Sequence, residues 1–253
     1  MFTVTRREQV RTQLLQRARD DERIVGAAIT GSAASGGEDR WSDIDLFFGV
    51  AGGYDIAEIL NAWSEFVYAE LGAVHHFNLR ARAATYRAFL LGELLEIDLA
   101  FTPAAEFGPL GNGAFHVVFG DPAPRQPRSD DADHLIGLAW HHVLHARVFI
   151  ERGAPWQAEY WISAIRDETL ALAALRLGLP AAYAKGSDKL PADITTPVQD
   201  ALVRSLDAAE LSRALQAATR ALIGELRETG SAVAGRLTQP LLALAARQWE
   251  GAP

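Results

Sequence analysis

Cysteine is absent from this chain of 253 residues. That excludes a disulfide framework, a thiol nucleophile and a thiolate zinc site together. Lysine is nearly absent: Lys185 and Lys189 stand alone, and every other basic residue is arginine. Positive charge is also in deficit, with 24 Lys and Arg against 32 Asp and Glu and a formal net charge of −8. This is the wrong sign for holding nucleic acid by neutralising its phosphates. Long apolar runs are missing too. The stretch TLALAALRLGLPAAYA is broken by Arg176 and Pro180, short of the roughly 18 to 20 residues a membrane span needs. The start, MFTVTRREQVRTQLLQRARDDER, has no continuous apolar segment of the secretory kind, so a cytoplasmic protein with no membrane partner is expected. No GxxxxGK[ST] occurs, and Gly111-Asn112-Gly113 is too short for a dinucleotide fingerprint, which argues against P-loop and Rossmann chemistry.

What remains is an ordinary globular composition, 49% hydrophobic and 22% charged, in a chain long enough for one large domain or two of common size. Val10, Leu14, Leu15 and Ala18 recur at helical spacing, which predicts a first helix to about Asp21. Ile24 to Thr30 and Asp43 to Val50 read as strands around a loop from Ala33 to Ser42, and Ile56 to Leu71 reads as a helix. Val74 to Leu79, Thr85 to Leu90, Leu94 to Phe101 and Phe115 to Phe119 look like further strands, with Gly92-Glu93 a hairpin turn. DPAPRQPRSD, from Asp121 to Asp130, holds three prolines and no apolar period, the marks of a linker. Beyond it the period is helical only, at about 131–152, 155–178, 207–229 and 231–249. The expected architecture is an α+β domain with a mixed sheet at 1–122, followed by an all-α helical bundle at 123–253.

The chemistry concentrates in Thr30-Gly31-Ser32, a loop, and Asp43-Ile44-Asp45. The period of two puts Asp43 and Asp45 on one face of a strand while Ile44 and Leu46 point into a core. Adjacent carboxylates repel, and a hard divalent cation such as Mg²⁺ is the usual remedy. The Gly31-Ser32 turn offers backbone N–H groups and a hydroxyl to phosphate oxygens with little bulk. Asp98, in Leu-Leu-Glu-Ile-Asp-Leu-Ala-Phe, repeats the pattern of an isolated acid among apolar neighbours and can close a two-metal site. Glu96, two residues earlier, shares its face. The competing reading is of strand-end carboxylates satisfied by arginines.

Gly-Ser, a loop of ten residues, Asp-x-Asp and a later Asp on its own strand resemble the signature of the polymerase-β-type nucleotidyltransferase superfamily. Sheet domain, helical half and length look most like its antibiotic-modifying branch, the aminoglycoside and lincosamide nucleotidyltransferases. The motif portion spans Ile24 to Phe101, and the helical half resembles that branch in architecture more than in sequence. Thr30 departs from the pattern, standing where the family usually has a larger apolar or aromatic residue. The resemblance implies transfer of a nucleoside monophosphate, AMP from ATP, to a hydroxyl of a small acceptor, with pyrophosphate leaving. It implies two Mg²⁺ ions held by Asp43, Asp45 and Asp98, Gly31 and Ser32 at the nucleotide, and Asp98 or Glu96 as general base. The alternatives are an antitoxin-like enzyme that adenylylates a protein, and a nucleotide-binding protein without activity. A monomer or a homodimer fits equally.

Lys185 and Lys189 suggest places where a compact point charge is wanted in a chain built on arginine, with nucleotide phosphate the obvious partner. Tyr183 beside them is a candidate to stack on the base; a solvated loop is the competing reading. In the helix around Trp156 to Asp167, Glu159, Ser163 and Arg166 share a face. Glu159 and Arg166 are therefore candidates for an acceptor site, against the bland reading of an intrahelical ion pair. His141 and His145 are spaced i, i+4 but lack a third ligand, so they are expected to pack, as are His75 and His76.

Overall fold

Alternating apolar and polar residues followed by helical periods resolve, in the computed structural model, into two units, Met1–Ser129 and Asp130–Pro253. The structure describes residues 1–81, 84–109, 113–124 and 132–247. Gly111, Asn112 and most of the proline-rich linker lie outside them.

The first unit is a six-stranded mixed sheet with helices. Its elements are α1 (Val4–Asp20), β1 (Ile24–Ile29), the short α2 (Gly31–Ala34), β2 (Ile44–Val50), α3 (Ile56–Leu71), β3 (Ala73–Ala81), β4 (Ala84–Leu91), β5 (Glu96–Pro103) and β6 (His116–Phe119). The strand order is β3-β4-β5-β2-β1-β6. Only the central β2–β5 pair is parallel; the other neighbours are antiparallel. Polar ends set the helices: the Thr3 side chain accepts from the Arg6 N–H, and Asp55 accepts from the Ala57 N–H. Gly72, at φ 78°, closes α3 in the left-handed conformation.

Alternation along β2 decides what each sheet face does. Ile44, Leu46, Phe48 and Val50 join Ile97, Leu99 and Phe101 of β5 and the buried side chains of α1 and α3 in the main core. Phe48, Trp63 and Phe101 pack ring to ring, with centroids 4.9 to 5.3 Å apart. The Trp63 indole N–H donates to Asp21 at 2.9 Å. The Asp21 carboxylate also takes two guanidinium bonds from Arg23 at 2.7 Å. That pairing with Arg23 is the main reason its carboxyl is lowered to about 2. On the opposite face Phe47, Ala28, Ala84, Ala100 and Phe107 form a smaller cluster beside Tyr86 and Phe115. Asp45 and Asp98 have the parity of this second face.

The structure differs from the sequence expectation at a few joints. The segment after Thr30 opens with one helical turn, α2, before the loop. Leu94 lies in the β4–β5 turn with φ 66°, and the paired strand begins at Glu96 opposite Leu90. A four-residue connection has to reverse direction there, and a left-handed residue does it.

The second unit comprises α4 (Ala132–Glu151), α5 (Pro155–Arg176), α6 (Ala192–Gln199), α7 (Ala208–Glu228) and α8 (Ala232–Ala246). Of these, α6 packs on a smaller cluster at Ala173, Ala174 and Leu190, and α4, α5, α7 and α8 enclose the main core. Its centre is Val143, Ile162, Ile165, Leu215 and Leu222, all fully buried. Two arginines tie its helices together. Arg176 of α5 makes a double hydrogen bond, 2.7 and 2.9 Å, to the buried Glu225 of α7, and losing one partner of such a pair costs about 3–5 kcal/mol. Arg147 of α4 donates to the carbonyl oxygens of Ala245 and Arg247, the otherwise unpaired end of α8. The period-based reading passes over α6, an eight-residue helix with Pro197 inside it.

Gly26 and Gly49 sit opposite each other on β1 and β2. A Cβ at Gly49 would come within 2.9 Å of Phe107 Cβ and Cγ, so the pair makes room for that ring on the sheet. Gly49→Ala is expected to cost about 1–3 kcal/mol in urea unfolding through overpacking. In a Phe107→Ala background the same change should cost distinctly less, and equal costs in both backgrounds would show that the ring is not the obstacle.

Candidate functional site

Two carboxylates are set by strand pairing and a third by a loop. The parallel register places Asp45 of β2 directly beside Asp98 of β5, so both leave the sheet on the same side. Asp43 stands immediately before β2. One oxygen from each of the three lies within 4.8 Å of the other two. Among the described residues this is the one group of three or more acidic or histidine side chains close enough to share a metal ion.

Two of the three acids lack a cationic partner among the described residues. Among the described residues no arginine or lysine lies within ion-pair distance of Asp43 or Asp98. Burial, followed by the negative charges of Glu96 and Asp43, raises the Asp98 carboxyl to about 6. Asp98 Oδ1 is buried without a hydrogen-bond partner. Buried polar atoms normally have one, so this oxygen faces a place where a cation would complete it. The donor set, carboxylate oxygens alone, suits a hard divalent ion. Glu96 opens β5 as an exposed residue on the same face.

The Gly31-Ser32 turn closes on this cluster. The Thr30 N–H donates to the Asp45 carbonyl oxygen at 3.1 Å, so the strand end and the turn are fixed to β2. Gly31 has φ 63°, and a Cβ there would overlap the Asp45 carboxylate. Only glycine suits both the conformation and the space. Ser32 Oγ, on the residue after Gly31, is buried without a partner, a second orphaned polar atom. Past the turn, the Ser32 carbonyl accepts from the Ser35 hydroxyl and from the Gly37 N–H at 2.9 and 3.0 Å.

The remaining candidates belong to the second unit. Tyr183 is 89% exposed and has φ 56° in a short 3-10 turn. Lys185 and Lys189 are both exposed in the same connection. On α5, Glu159 and Arg166 are joined through Ser163, whose hydroxyl donates to Glu159 at 2.6 Å and accepts from Arg166 at 3.0 Å. The spacing suggested a direct ion pair; the hydroxyl between them replaces it. His141, His142 and His145 gather around Trp161, with His145 stacked on its ring at 4.9 Å, and His76 meets Tyr68 and Phe89. These histidines pack aromatic surface, as their spacing suggested. The sequence reading passed over Arg7 and Arg11 of α1, which grip the loop before Asp43. Their only outward sign was two arginines four apart on the apolar side of an amphipathic helix.

No family model matches the chain, and no curated protein matches it. The structure is similar to the crystal structure of an aminoglycoside 6-adenyltransferase from Bacillus subtilis. The two share 13% identity with a TM-score of 0.37, over 96% of this chain and 99% of that one.

The raised Asp98 carboxyl carries a consequence for stability. Its folded value, about 6, lies above the ordinary 3.8, so the folded state binds the proton more tightly. Ionised Asp98 then works against the fold, with a cost that appears as the pH rises from 3.8 and is complete above about 6. In EDTA, Asp98→Asn should raise the melting temperature above pH 6, and the gain should shrink as the pH falls toward 3.8. A variant less stable than the parent across that range would mean that Asp98 is satisfied in the fold.

Proposed function

We propose that this protein transfers a nucleoside monophosphate, AMP from ATP, to a hydroxyl of a small acceptor of the aminoglycoside or lincosamide kind. The observation that carries the reading is the meeting of three clustered carboxylates, one of them with a buried oxygen that lacks a hydrogen-bond partner, with a glycine-serine turn that holds an orphaned hydroxyl. A site with negative charge to neutralise beside a turn with a buried, partnerless hydroxyl suits Mg²⁺ and phosphate together.

In the reaction the acceptor oxygen attacks the α-phosphorus, the new O–P bond forms, and the bond to the bridging oxygen breaks to release pyrophosphate. Asp43, Asp45 and Asp98 would hold two Mg²⁺ ions. When bound, these supply neutralisation of the phosphate oxygens and acidification of the attacking hydroxyl. The chain's own groups do the rest. The Gly31-Ser32 turn donates hydrogen bonds to phosphate oxygens through its backbone and the Ser32 hydroxyl. A carboxylate accepts the proton of the acceptor hydroxyl. Asp98 and Glu96 share the required strand face, and Glu96, exposed and outside the three-acid cluster, is free of the ligand role. Lys185 and Lys189 are assigned to the nucleotide phosphates and Tyr183 to the base, in keeping with their exposure. Glu159 and Arg166 are assigned to the acceptor, Glu159 as the partner of a cationic group, and the acceptor would have to compete with Ser163 for them.

The test is pyrophosphate release from ATP and Mg²⁺ against a panel of aminoglycosides and lincosamides. One or more acceptors should give turnover, with Asp45→Asn reducing it at least about a thousandfold, the scale on which metal-held charge stabilisation contributes. Turnover that survives in Asp45→Asn would overturn the metal assignment. Radiolabel appearing on a protein in place of the antibiotic would move the acceptor to a polypeptide.

A further inference from the structure

Asp45 and Asp98 are placed by the β2–β5 ladder, whereas Asp43 lies outside it. Its position is set by the segment that delivers it, Glu38 to Ser42. That segment folds into a closed turn. The Asp39 N–H donates to Ser42 Oγ at 2.9 Å, the Ser42 N–H to the Asp39 carbonyl at 3.4 Å, and the Trp41 N–H to the Asp39 carboxylate at 2.8 Å.

The turn is tied to α1 by a residue far away in sequence. Arg7 is 3% exposed. Its Nη1 donates to the carbonyl oxygen of Asp39 and, at 3.0 Å, to that of Ser42. The Ser42 carbonyl and the Asp43 N–H belong to one rigid peptide plane, so the second of these bonds fixes the plane from which the Asp43 side chain departs. The Nε of Arg7 lies 3.2 Å from Glu38 Oε1. Arg11, one helical turn on, pairs with the same carboxylate, so the start of the segment is held by two arginines and its end by one. A buried guanidinium is an expensive way to attach a loop, and here Nη1 is spent on two carbonyls of a single turn, while Nε, within ion-pair distance of Glu38, has no hydrogen bond of its own.

We infer that Arg7 is a positioning residue for the carboxylate cluster, holding the Ser42–Asp43 peptide so that Asp43 stands beside Asp45 and Asp98. The inference rests on the reading of these three acids as ligands of a divalent cation. Outer groups that orient metal ligands typically contribute about 10- to 100-fold in metal affinity.

The experiment is a titration of the full chain with Mn²⁺, followed by electron paramagnetic resonance without nucleotide, at a temperature where near-ultraviolet circular dichroism shows each variant folded. Arg7→Met should weaken Mn²⁺ binding about tenfold. Val10→Ala, which opens a cavity on the core side of the same helix, should lower the melting temperature and leave Mn²⁺ affinity unchanged. A folded Arg7→Met protein with parental affinity overturns the positioning role and leaves the metal reading standing. A parent protein that binds no Mn²⁺ overturns both. Should Arg7→Met not fold, Ser42→Ala decides in its place. With the Arg7 bond to the Ser42 carbonyl kept and only the turn's closing hydroxyl removed, parental Mn²⁺ affinity supports the hold by Arg7, and a loss of about tenfold or more overturns it by placing the positioning in the turn itself.

Discussion

The parallel pairing of β2 with β5 is the constraint on which the rest of the first unit depends. Side chains alternate across a strand, so the register that opposes Asp45 with Asp98 also opposes Leu46 with Leu99 and Phe48 with Phe101. A slip of β2 by one residue would put Asp45 into the core beneath α1 and α3 and take Leu46 and Phe48 out of it. The apolar face therefore enforces the juxtaposition of two like charges. Burial of Leu46, Phe48, Leu99 and Phe101 is the gain that offsets the repulsion between acids that the fold holds together on the other side.

Around this pair the molecule gives up local comfort to keep the site open. Gly31 accepts a left-handed backbone because any side chain would collide with Asp45. Ser32 Oγ and Asp98 Oδ1 stay buried without partners, contrary to the general habit of folded chains. Such local conflicts with otherwise consistent packing are expected where a ligand completes the structure. The second unit has orphaned buried atoms and left-handed residues of its own, at His142, Arg147, Ser212, Tyr183 and Ala184, but among its described residues no group of three acids accompanies them. Two of its arginines tie helices together, Arg176 through Glu225 and Arg147 through the end of α8, which is the behaviour of a scaffold.

Much of this was legible in one dimension. The helix from Ile56 to Leu71, the strands of the sheet and the four long helices follow from their periods, because each buries a continuous face. The acids were legible for the same reason: a lone Asp between Ile and Leu on a strand has few explanations. Four joints were not. The α2 turn and α6 are too short to show a period, and Pro197 works against a helix reading. Leu94 turns left-handed only because β4 and β5 must meet in register. The role of Arg7 is set by a carbonyl 35 residues away, which no local pattern contains.

The sequence by itself determined the two textures of the chain, the alternation that segregates carboxylates from core, and the absence of thiol chemistry, since all of these depend on composition and short-range period. Tertiary structure alone decided that Asp98 stands beside Asp45, that Gly31 must be glycine, and that the segment before Asp43 hangs from α1. Those facts arise when distant strands choose partners, and the free energy that selects the partners belongs to the whole core and to no single segment.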